Sequence, residues 1–140
     1  MNAPAKLCDV HHKLTAAGMR PTRQRIALGG LLFSSGDRHV TAEELHAEAE
    51  RAGVRVSLAT VYNTLHQFTA AGLLREVAIE GAKTYFDTNT SDHYHFYVES
   101  NGQLIDIDER LSIGELPELP PGKRVSRVDV LIRLVDSSDE

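Results

Sequence analysis

The sequence predicts an α+β fold with two domains, and three observations support this prediction. Residues 6–71 carry apolar side chains at helical spacing in four segments, whereas later residues form short extended runs between turn residues. The charge changes at a similar place. Residues up to Arg75 include nine Lys and Arg and six Asp and Glu, whereas the residues after Arg75 include six Lys and Arg and fourteen Asp and Glu. We therefore expect a mildly basic domain at residues 1–87 and an acidic domain at residues 88–140.

Local signals define the first three predicted helices, which span residues 6–17, 23–33 and 42–52. Thr22 precedes the second helix as an N-cap, and Thr41 forms a capping box with Glu44 at the start of the third. Gly18 and Gly53 end the first and third helices. The chemistry of the helix ends therefore predicts most of these boundaries.

The fourth predicted helix begins after the N-cap Ser57, ends before Gly72 and has two chemically different faces. The apolar face consists of Leu58, Val61, Leu65 and Phe68. The opposite face consists of Thr60, Asn63 and Gln67, and Tyr62 lies at its flank. Such a polar face fits the major groove of DNA, where base edges differ in donors, acceptors and methyl groups. It also fits an ordinary amphipathic helix, and periodicity alone does not separate the two interpretations.

Two extended runs follow the fourth helix, at residues 74–79 and 83–87, and Glu80-Gly81-Ala82 joins them. This pattern predicts a β-hairpin. A hairpin directly after the fourth helix is a wing, so residues 1–87 are predicted to form a winged helix-turn-helix.

Residues 88–140 predict a small sheet. Its strands are expected at residues 95–100, 103–108 and 125–135. Asn101-Gly102 is typical of a two-residue hairpin turn, and the Pro-rich residues 115–122 exclude a long helix. Because three strands are too few to bury two faces, we expect a homodimer.

Polar residues on and around the fourth helix are the candidate DNA contacts. Asn63 can pair with an adenine edge, and Tyr62 and the methyl groups of Thr60 and Thr64 can contact thymine methyl groups. The remaining candidates can contact the phosphate backbone or a minor groove, and they are Ser57, Arg55, Arg20, Arg23 and Arg25. We therefore predict double-stranded DNA as a partner.

The composition restricts the class of protein. Hydrophobic residues make up 41% of the 140 residues, which favours a packed core over global disorder. The N-terminus has no signal-peptide apolar segment and no apolar run is as long as a bilayer span, so we expect a cytoplasmic protein without a membrane partner. Cys8 is the only cysteine, which excludes an internal disulfide and a thiolate zinc site.

His93 and His95 are candidate metal ligands. They are two residues apart near a predicted strand, so their side chains can point to one side and converge on a cation. Imidazole and carboxylate ligands suit Fe(II), Mn(II), Zn(II) or Co(II), whereas the absence of thiolates disfavours a permanent zinc clamp. Because the chain has seven His residues, such a pair can also arise by chance, and the spacing alone leaves the site a hypothesis.

Taken in order and spacing, five motifs resemble the ferric uptake regulator superfamily: residues 20–25 (RPTRQR), 39–45 (HVTAEEL), 59–65 (ATVYNTL), 81–87 (GAKTYFD) and 93–95 (HYH). The resemblance covers about residues 19–108. It implies a dimeric, metal-responsive transcription factor with an N-terminal winged helix and a C-terminal α/β dimerization and metal-sensing domain. It also implies that Tyr62 contacts bases and that Arg20 reaches the minor groove. Many relatives carry Arg at the position of Asn63, so the DNA sequence that this chain recognises is expected to differ.

The resemblance further implies one regulatory metal site per protomer. The matching positions are His39, Asp87, His93, His95 and, from the peroxide-sensing branch, Asp106. All five hold side chains that can bind a metal. A cation held by residues of both domains would select one domain arrangement and so change the affinity for an operator.

Two departures from the family pattern narrow the expectation. Typical members carry two Cys-x-x-Cys pairs for structural zinc, whereas Val98 and Asn101 occupy the positions of the first pair and the second pair is missing, so no structural zinc site built from four cysteines is expected. Shortened chains of this kind with His-x-His resemble the iron response regulator branch, whose members respond to haem as well as iron. Cys8 is not followed by the proline of a Cys-Pro haem motif, so haem, if bound, is assigned to His93 or His95.

The sequence thus predicts a DNA-binding transcriptional regulator of iron homeostasis that is controlled by iron, manganese or haem, and not an enzyme. A peroxide- or manganese-responsive regulator of the same superfamily is the main alternative. A small metallohydrolase built on His93, His95 and Asp106 is remote, because the chain lacks H-E-x-x-H and a convincing nucleophile set. A metal-independent winged-helix interaction module is the third alternative.

Overall fold

A computed structural model describes residues 7–79, 81, 83–108 and 111–138 of the chain, without the side chains of Leu7 and Cys8. The chain divides into two compact units, Met1–Thr90 and Ser91–Glu140. Three sequence expectations fall outside the described residues: the start of the first helix at residue 6, the role of the Cys8 thiol, and the turn residues Glu80 and Ala82.

The first unit contains four helices, α1 (Leu7–Ala16), α2 (Arg23–Phe33), α3 (Ala42–Arg51) and α4 (Leu58–Ala70). The predicted N-caps are confirmed. The side chain of Thr22 accepts a hydrogen bond from the backbone N–H of Arg25, and that of Thr41 accepts one from Glu44. Ser57 caps α4 in the same way and accepts from the N–H of Thr60.

One apolar core joins the four helices to the wing. Its fully buried large side chains come from every helix and from two strands, and they include Val10, Leu14, Leu28, Leu32, Val40, Leu45, Val61, Leu65, Phe68 and Phe86. Burial of each such side chain contributes about 1.5–3 kcal/mol. Because Val61, Leu65 and Phe68 are turned into this core, the polar face of α4 is directed outward.

The first unit also contains a three-stranded antiparallel sheet of β1 (His39–Val40), β2 (Arg75–Val77) and β3 (Tyr85–Asp87), in the order β1-β3-β2. The wing hairpin is confirmed, but its strands are shorter than residues 74–79 and 83–87. The cross-strand pairs run only from Arg75↔Asp87 to Val77↔Tyr85. Strand β1 was not predicted, because two residues show no alternation and this strand exists only through its pairing with β3.

The second unit contains a three-stranded sheet of β4 (Tyr94–Val98), β5 (Gln103–Ile107) and β6 (Leu131–Leu134), in the order β5-β4-β6. Strand β4 pairs antiparallel with β5 and parallel with β6. The expected strand over residues 125–135 forms only at Leu131–Leu134, because β4 offers partners only to these four residues. Within residues 91–108 and 111–138 the regular elements are strands, and the helix of the implied α/β domain is not found there.

The turn between β4 and β5 is longer than the sequence predicted. Val98 pairs with Gln103, so residues 99–102 form a four-residue loop instead of a two-residue Asn-Gly turn. Gly102 has a φ of 71° and donates its N–H to the carbonyl oxygen of Val98 at 2.8 Å. The glycine therefore takes the left-handed position at the end of the loop, where it closes the hairpin.

None of the helices in the described part of the chain combines the length and the apolar character that a membrane crossing requires.

Two adjacent glycines of α2 provide a test of the packing between α1 and α2. A Cβ atom on Gly29 would lie 2.7 Å from Cγ1 of the buried, β-branched Val10, whereas a Cβ atom on Gly30 would meet no atom within 4 Å. Since alanine favours a helix, Gly30→Ala should raise the free energy of unfolding by about 0.5–1 kcal/mol, and Gly29→Ala should lower it by about 1 kcal/mol net because Val10 must shift. Urea unfolding of both variants measures the difference. Equal stabilisation by the two substitutions would contradict this packing.

Candidate functional site

The N-terminal half of α4 presents the candidate DNA-reading residues. Tyr62 is 38% exposed and Asn63 is also exposed, whereas Thr60 is partly buried and Thr64 is buried at 6% exposure. The Ser57 hydroxyl accepts a hydrogen bond from the N–H of Thr60 and donates one to the side-chain oxygen of Thr60. The hydroxyls of Ser57 and Thr60 are therefore both engaged at the helix cap. The exposed reading face therefore centres on Tyr62 and Asn63.

A polar cleft of about 400 Å³ separates the start of α2 from α4, and it is lined by Arg20, Thr22, Gln24, Arg25, Thr60, Asn63, Thr64 and Gln67. Arg25 joins its two sides. One guanidinium nitrogen donates to the backbone carbonyl of Arg20 at 2.9 Å, and the other donates to the side-chain oxygen of Gln67 at 3.1 Å. Arg25 therefore links the segment that carries Arg20 to α4.

The other arginines predicted to contact the phosphate backbone of DNA do not line this cleft. Arg23 is exposed in the first turn of α2, and Arg55 is exposed in the segment that precedes α4. Both guanidinium groups are accessible to solvent and therefore to a phosphate.

A carboxylate lies within the same surface, on the first turn of α3. The hydroxyl of Tyr62 donates to Oε1 of Glu43 at 2.9 Å, and Nζ of Lys83 lies 3.6 Å from Oε2. The hydrogen bond from Tyr62 lowers the pKa of Glu43, and the same bond raises the pKa of Tyr62. Sequence reasoning missed Glu43, because an acidic residue in the first turn of a helix is explained by the helix dipole and carries no further signal.

The first unit holds two of the predicted metal ligands on adjacent strands. His39 of β1 and Asp87 of β3 are cross-strand partners, and Nε2 of His39 lies 3.6 Å from Oδ2 of Asp87. Asp87 is fully buried, and its other oxygen accepts a hydrogen bond from the N–H of Asn89 at 2.9 Å. A pair of this kind, with a buried carboxylate and a partly exposed imidazole, can supply two ligands to a cation.

The second unit holds the other three predicted ligands. His95 of β4 and Asp106 of β5 are cross-strand partners, and His93 precedes β4. Nε2 of His93 and Nε2 of His95 lie 3.2 and 3.3 Å from the same oxygen, Oδ1 of Asp106. The two imidazole rings are 4.5 Å apart between centroids. The expected convergence of the His-x-His pair is therefore present within this unit.

The hydrogen bonding of His93 fits a metal ligand. Its Nδ1 lies 2.7 Å from the carbonyl oxygen of Ser91, and because a carbonyl cannot donate, Nδ1 carries the proton. Nε2 is therefore the nitrogen that faces the carboxylate of Asp106. A proton or a metal cation between Nε2 and the carboxylate oxygen would make this contact favourable. Bonding of the distal imidazole nitrogen to a carbonyl is the usual support of a metal-bound histidine.

His39, Asp87, His95 and Asp106 each offer one ligand atom that could hold a metal ion, and His93 is a further candidate through Nε2. Imidazole nitrogen with carboxylate oxygen suits divalent first-row metals, and the set includes no thiolate. The donor chemistry of this chain therefore fits Fe(II), Mn(II) or Zn(II).

Comparison with known proteins places these motifs in a family. Residues 16–129 match the ferric uptake regulator family. A peroxide operon regulator of Bacillus subtilis is 36% identical over 105 residues, which are 75% of this chain and 72% of that protein. A peroxide-responsive repressor of Staphylococcus epidermidis is 37% identical over 94 residues, which are 67% of this chain and 62% of that protein.

Solved structures show the same fold. The ferric uptake regulator of Pseudomonas aeruginosa, determined with manganese, superimposes with a TM-score of 0.69 at 23% identity, and the match covers 91% of this chain and 98% of that one. The family match extends over most of the chain and includes both units. On these grounds the chain belongs to the ferric uptake regulator family.

Proposed function

We propose that this protein binds a double-stranded DNA operator as a homodimer and that a divalent metal ion, held by both units of the chain, sets its affinity for that operator. As a member of the ferric uptake regulator family it is a metal-responsive, DNA-binding transcriptional regulator. The observation that carries the metal part of the proposal is the pair of imidazole nitrogens directed at one oxygen of Asp106.

The exposed face of α4 supports the DNA part of the proposal. Tyr62 and Asn63 extend from a helix whose opposite face is anchored in the core, so they can reach base edges in a major groove. The cleft beside them brings Arg20 and Arg25 to the edge of the same face, where their charge can hold the phosphate backbone. Thr60 and Thr64 line the same cleft, and Arg23, Arg55 and Ser57 are exposed candidates outside its lining.

The incomplete ligand sets of the two units support a shared metal ion. His39 and Asp87 give the first unit two candidate ligands, and His93, His95 and Asp106 give the second unit three. Zinc takes four ligands in structural sites and octahedral ions such as Mn(II) take six, so neither set completes a protein-only site. Ligands recruited from both units would couple metal binding to their arrangement, and a coupling of about 1–3 kcal/mol changes operator affinity roughly 5- to 150-fold.

The relatives favour a peroxide- or manganese-responsive regulator over the iron response regulator branch. The two relatives described above are named as peroxide regulators, and the Pseudomonas structure contains manganese. The site also favours a metal ion over haem. His95 is only 4% exposed, and both histidines direct Nε2, the nitrogen that would bind a haem iron, at the carboxylate of Asp106. We therefore propose Fe(II) or Mn(II) as the regulatory ion.

Replacing Tyr62 by alanine tests the reading helix. The variant should bind a duplex selected from a random-sequence library about tenfold more weakly or worse, because a base contact is lost. Fluorescence anisotropy at fixed salt measures the affinity, and gel filtration with urea unfolding checks that the oligomer and the stability are unchanged. Wild-type affinity for the selected duplex would show that α4 does not read bases.

Replacing His93 and His95 together by alanine tests the metal response. The double variant should keep a cooperative unfolding transition but lose the change in operator affinity that Mn(II) causes, since both imidazole ligands of the second unit are removed. The matched control is the replacement of His11 and His12, two exposed histidines of α1, which should respond to Mn(II) like the wild type. A full Mn(II) response in the His93/His95 variant would place the sensor elsewhere.

A further inference from the structure

Glu43 is an acidic side chain on a surface expected to meet phosphates. Its two carboxylate oxygens have different partners on different elements. Oε1 accepts the hydrogen bond from Tyr62 of α4 at 2.9 Å, and Oε2 lies 3.6 Å from Nζ of Lys83 in the wing. A single carboxylate of α3 thus contacts both α4 and the wing.

The Tyr62 side chain is held at two points. Its hydroxyl donates to Glu43, and its ring stacks on His66 with an interplanar angle of 17° and 6.4 Å between centroids. His66 in turn makes an edge contact with the buried ring of Phe86, 5.5 Å away. An exposed side chain of this size would otherwise sample several rotamers, and the two contacts restrict it to one orientation before DNA arrives.

The charge of Glu43 has a second effect. Glu43 is ionised and Tyr62 is protonated at neutral pH, and the hydrogen bond between them reinforces both states, because it lowers the pKa of Glu43 and raises the pKa of Tyr62. An ionised carboxylate repels phosphates and offsets the nearby charge of Lys83. Both effects weaken binding to DNA of arbitrary sequence, which depends on phosphate contacts alone.

We propose that Glu43 is a positioning and specificity-determining residue of the DNA-reading surface, which orients Tyr62 for base contact and restrains Lys83 from indiscriminate phosphate binding. This inference rests on the proposed function, because it assumes that Tyr62 reads bases. Glu43 itself need not touch DNA. Its contribution is to raise the ratio of operator affinity to non-specific affinity.

The test compares Glu43→Ala, Glu43→Gln, Tyr62→Phe and the double variant Glu43→Ala/Tyr62→Phe, using the selected duplex and a scrambled duplex over a range of salt concentrations. Glu43→Ala should lower the ratio of specific to non-specific affinity about three- to tenfold, because the hydrogen bond that orients Tyr62 is lost. Glu43→Gln keeps an acceptor and should recover the part of this ratio that depends on the orientation of Tyr62, but not the part that depends on charge. In the Tyr62→Phe background, Glu43→Ala should cause only the smaller fall that Glu43→Gln causes in the wild type, since the orienting bond is already lost.

The salt dependence reports the charge effect separately. Both Glu43 variants free Lys83, so binding to the scrambled duplex should tighten and the slope of log affinity against log salt should steepen by about one. Glu50→Gln is the matched control, because it removes a negative charge from the last turn of the same helix, where the side chain is 67% exposed and pairs with His46. The control should leave the ratio of affinities unchanged.

A spectroscopic measurement tests the contact itself. The ionisation of Tyr62, taken as the difference between wild-type and Tyr62→Phe absorbance titrations at alkaline pH, should occur above the ordinary tyrosine pKa and should move down in Glu43→Ala. Additive effects of Glu43→Ala and Tyr62→Phe, or an unchanged affinity ratio in Glu43→Ala, would overturn the inference. The Tyr62→Ala variant separates this failure from a failure of the proposed function. If Tyr62→Ala binds the operator like the wild type, α4 does not read bases; if it binds more weakly, only the role of Glu43 is refuted.

Discussion

The carboxylate of Asp87 is fully buried, and the first unit must compensate its charge. Asp87 lies in the central strand of the first sheet, and its cross-strand partners are His39 on one side and the buried Arg75 on the other. Paired residues of antiparallel strands point to the same face, so two groups that can carry positive charge flank the carboxylate. An uncompensated buried carboxylate costs several kcal/mol. The pairing of the strands keeps His39 and Arg75 beside Asp87 and so holds this candidate metal ligand in place.

Strands β1 and β3 connect the candidate metal ligands His39 and Asp87 to α4, the proposed reading helix. Val40 follows His39 and Phe86 precedes Asp87, and both apolar side chains are completely buried in the core that also anchors α4. The ring of Phe86 contacts His66 on α4. Because a close-packed core does not deform continuously, the ligands and α4 are expected to move as one body. Metal binding would then change where the reading helix is presented and leave its internal structure unchanged.

Local chemistry made much of this architecture predictable from the sequence. Thr22, Thr41 and Ser57 cap their helices as expected, because capping depends on residues only three positions apart. The register of His95 was not predictable in this way, because the expected two-residue turn would set His95 opposite Asp108, whereas the four-residue loop sets it opposite Asp106. The features that were missed depend on distant partners. Strand β1 exists through β3, the extent of β6 is set by β4, and the bond between Tyr62 and Glu43 joins residues 19 positions apart.

The central claim is that one metal ion recruits ligands from both units, and metal binding to half-site variants tests it most directly. Equilibrium dialysis with Mn(II) would compare the wild type with His39→Ala, His95→Ala and the double variant. We predict one ion per chain, a loss of affinity of roughly tenfold or more in each single variant, and a further loss in the double variant, because both ligands serve the same ion. Two independent ions per chain, or unchanged affinity in His39→Ala, would contradict the account and leave Asp87 and His39 as a purely structural pair.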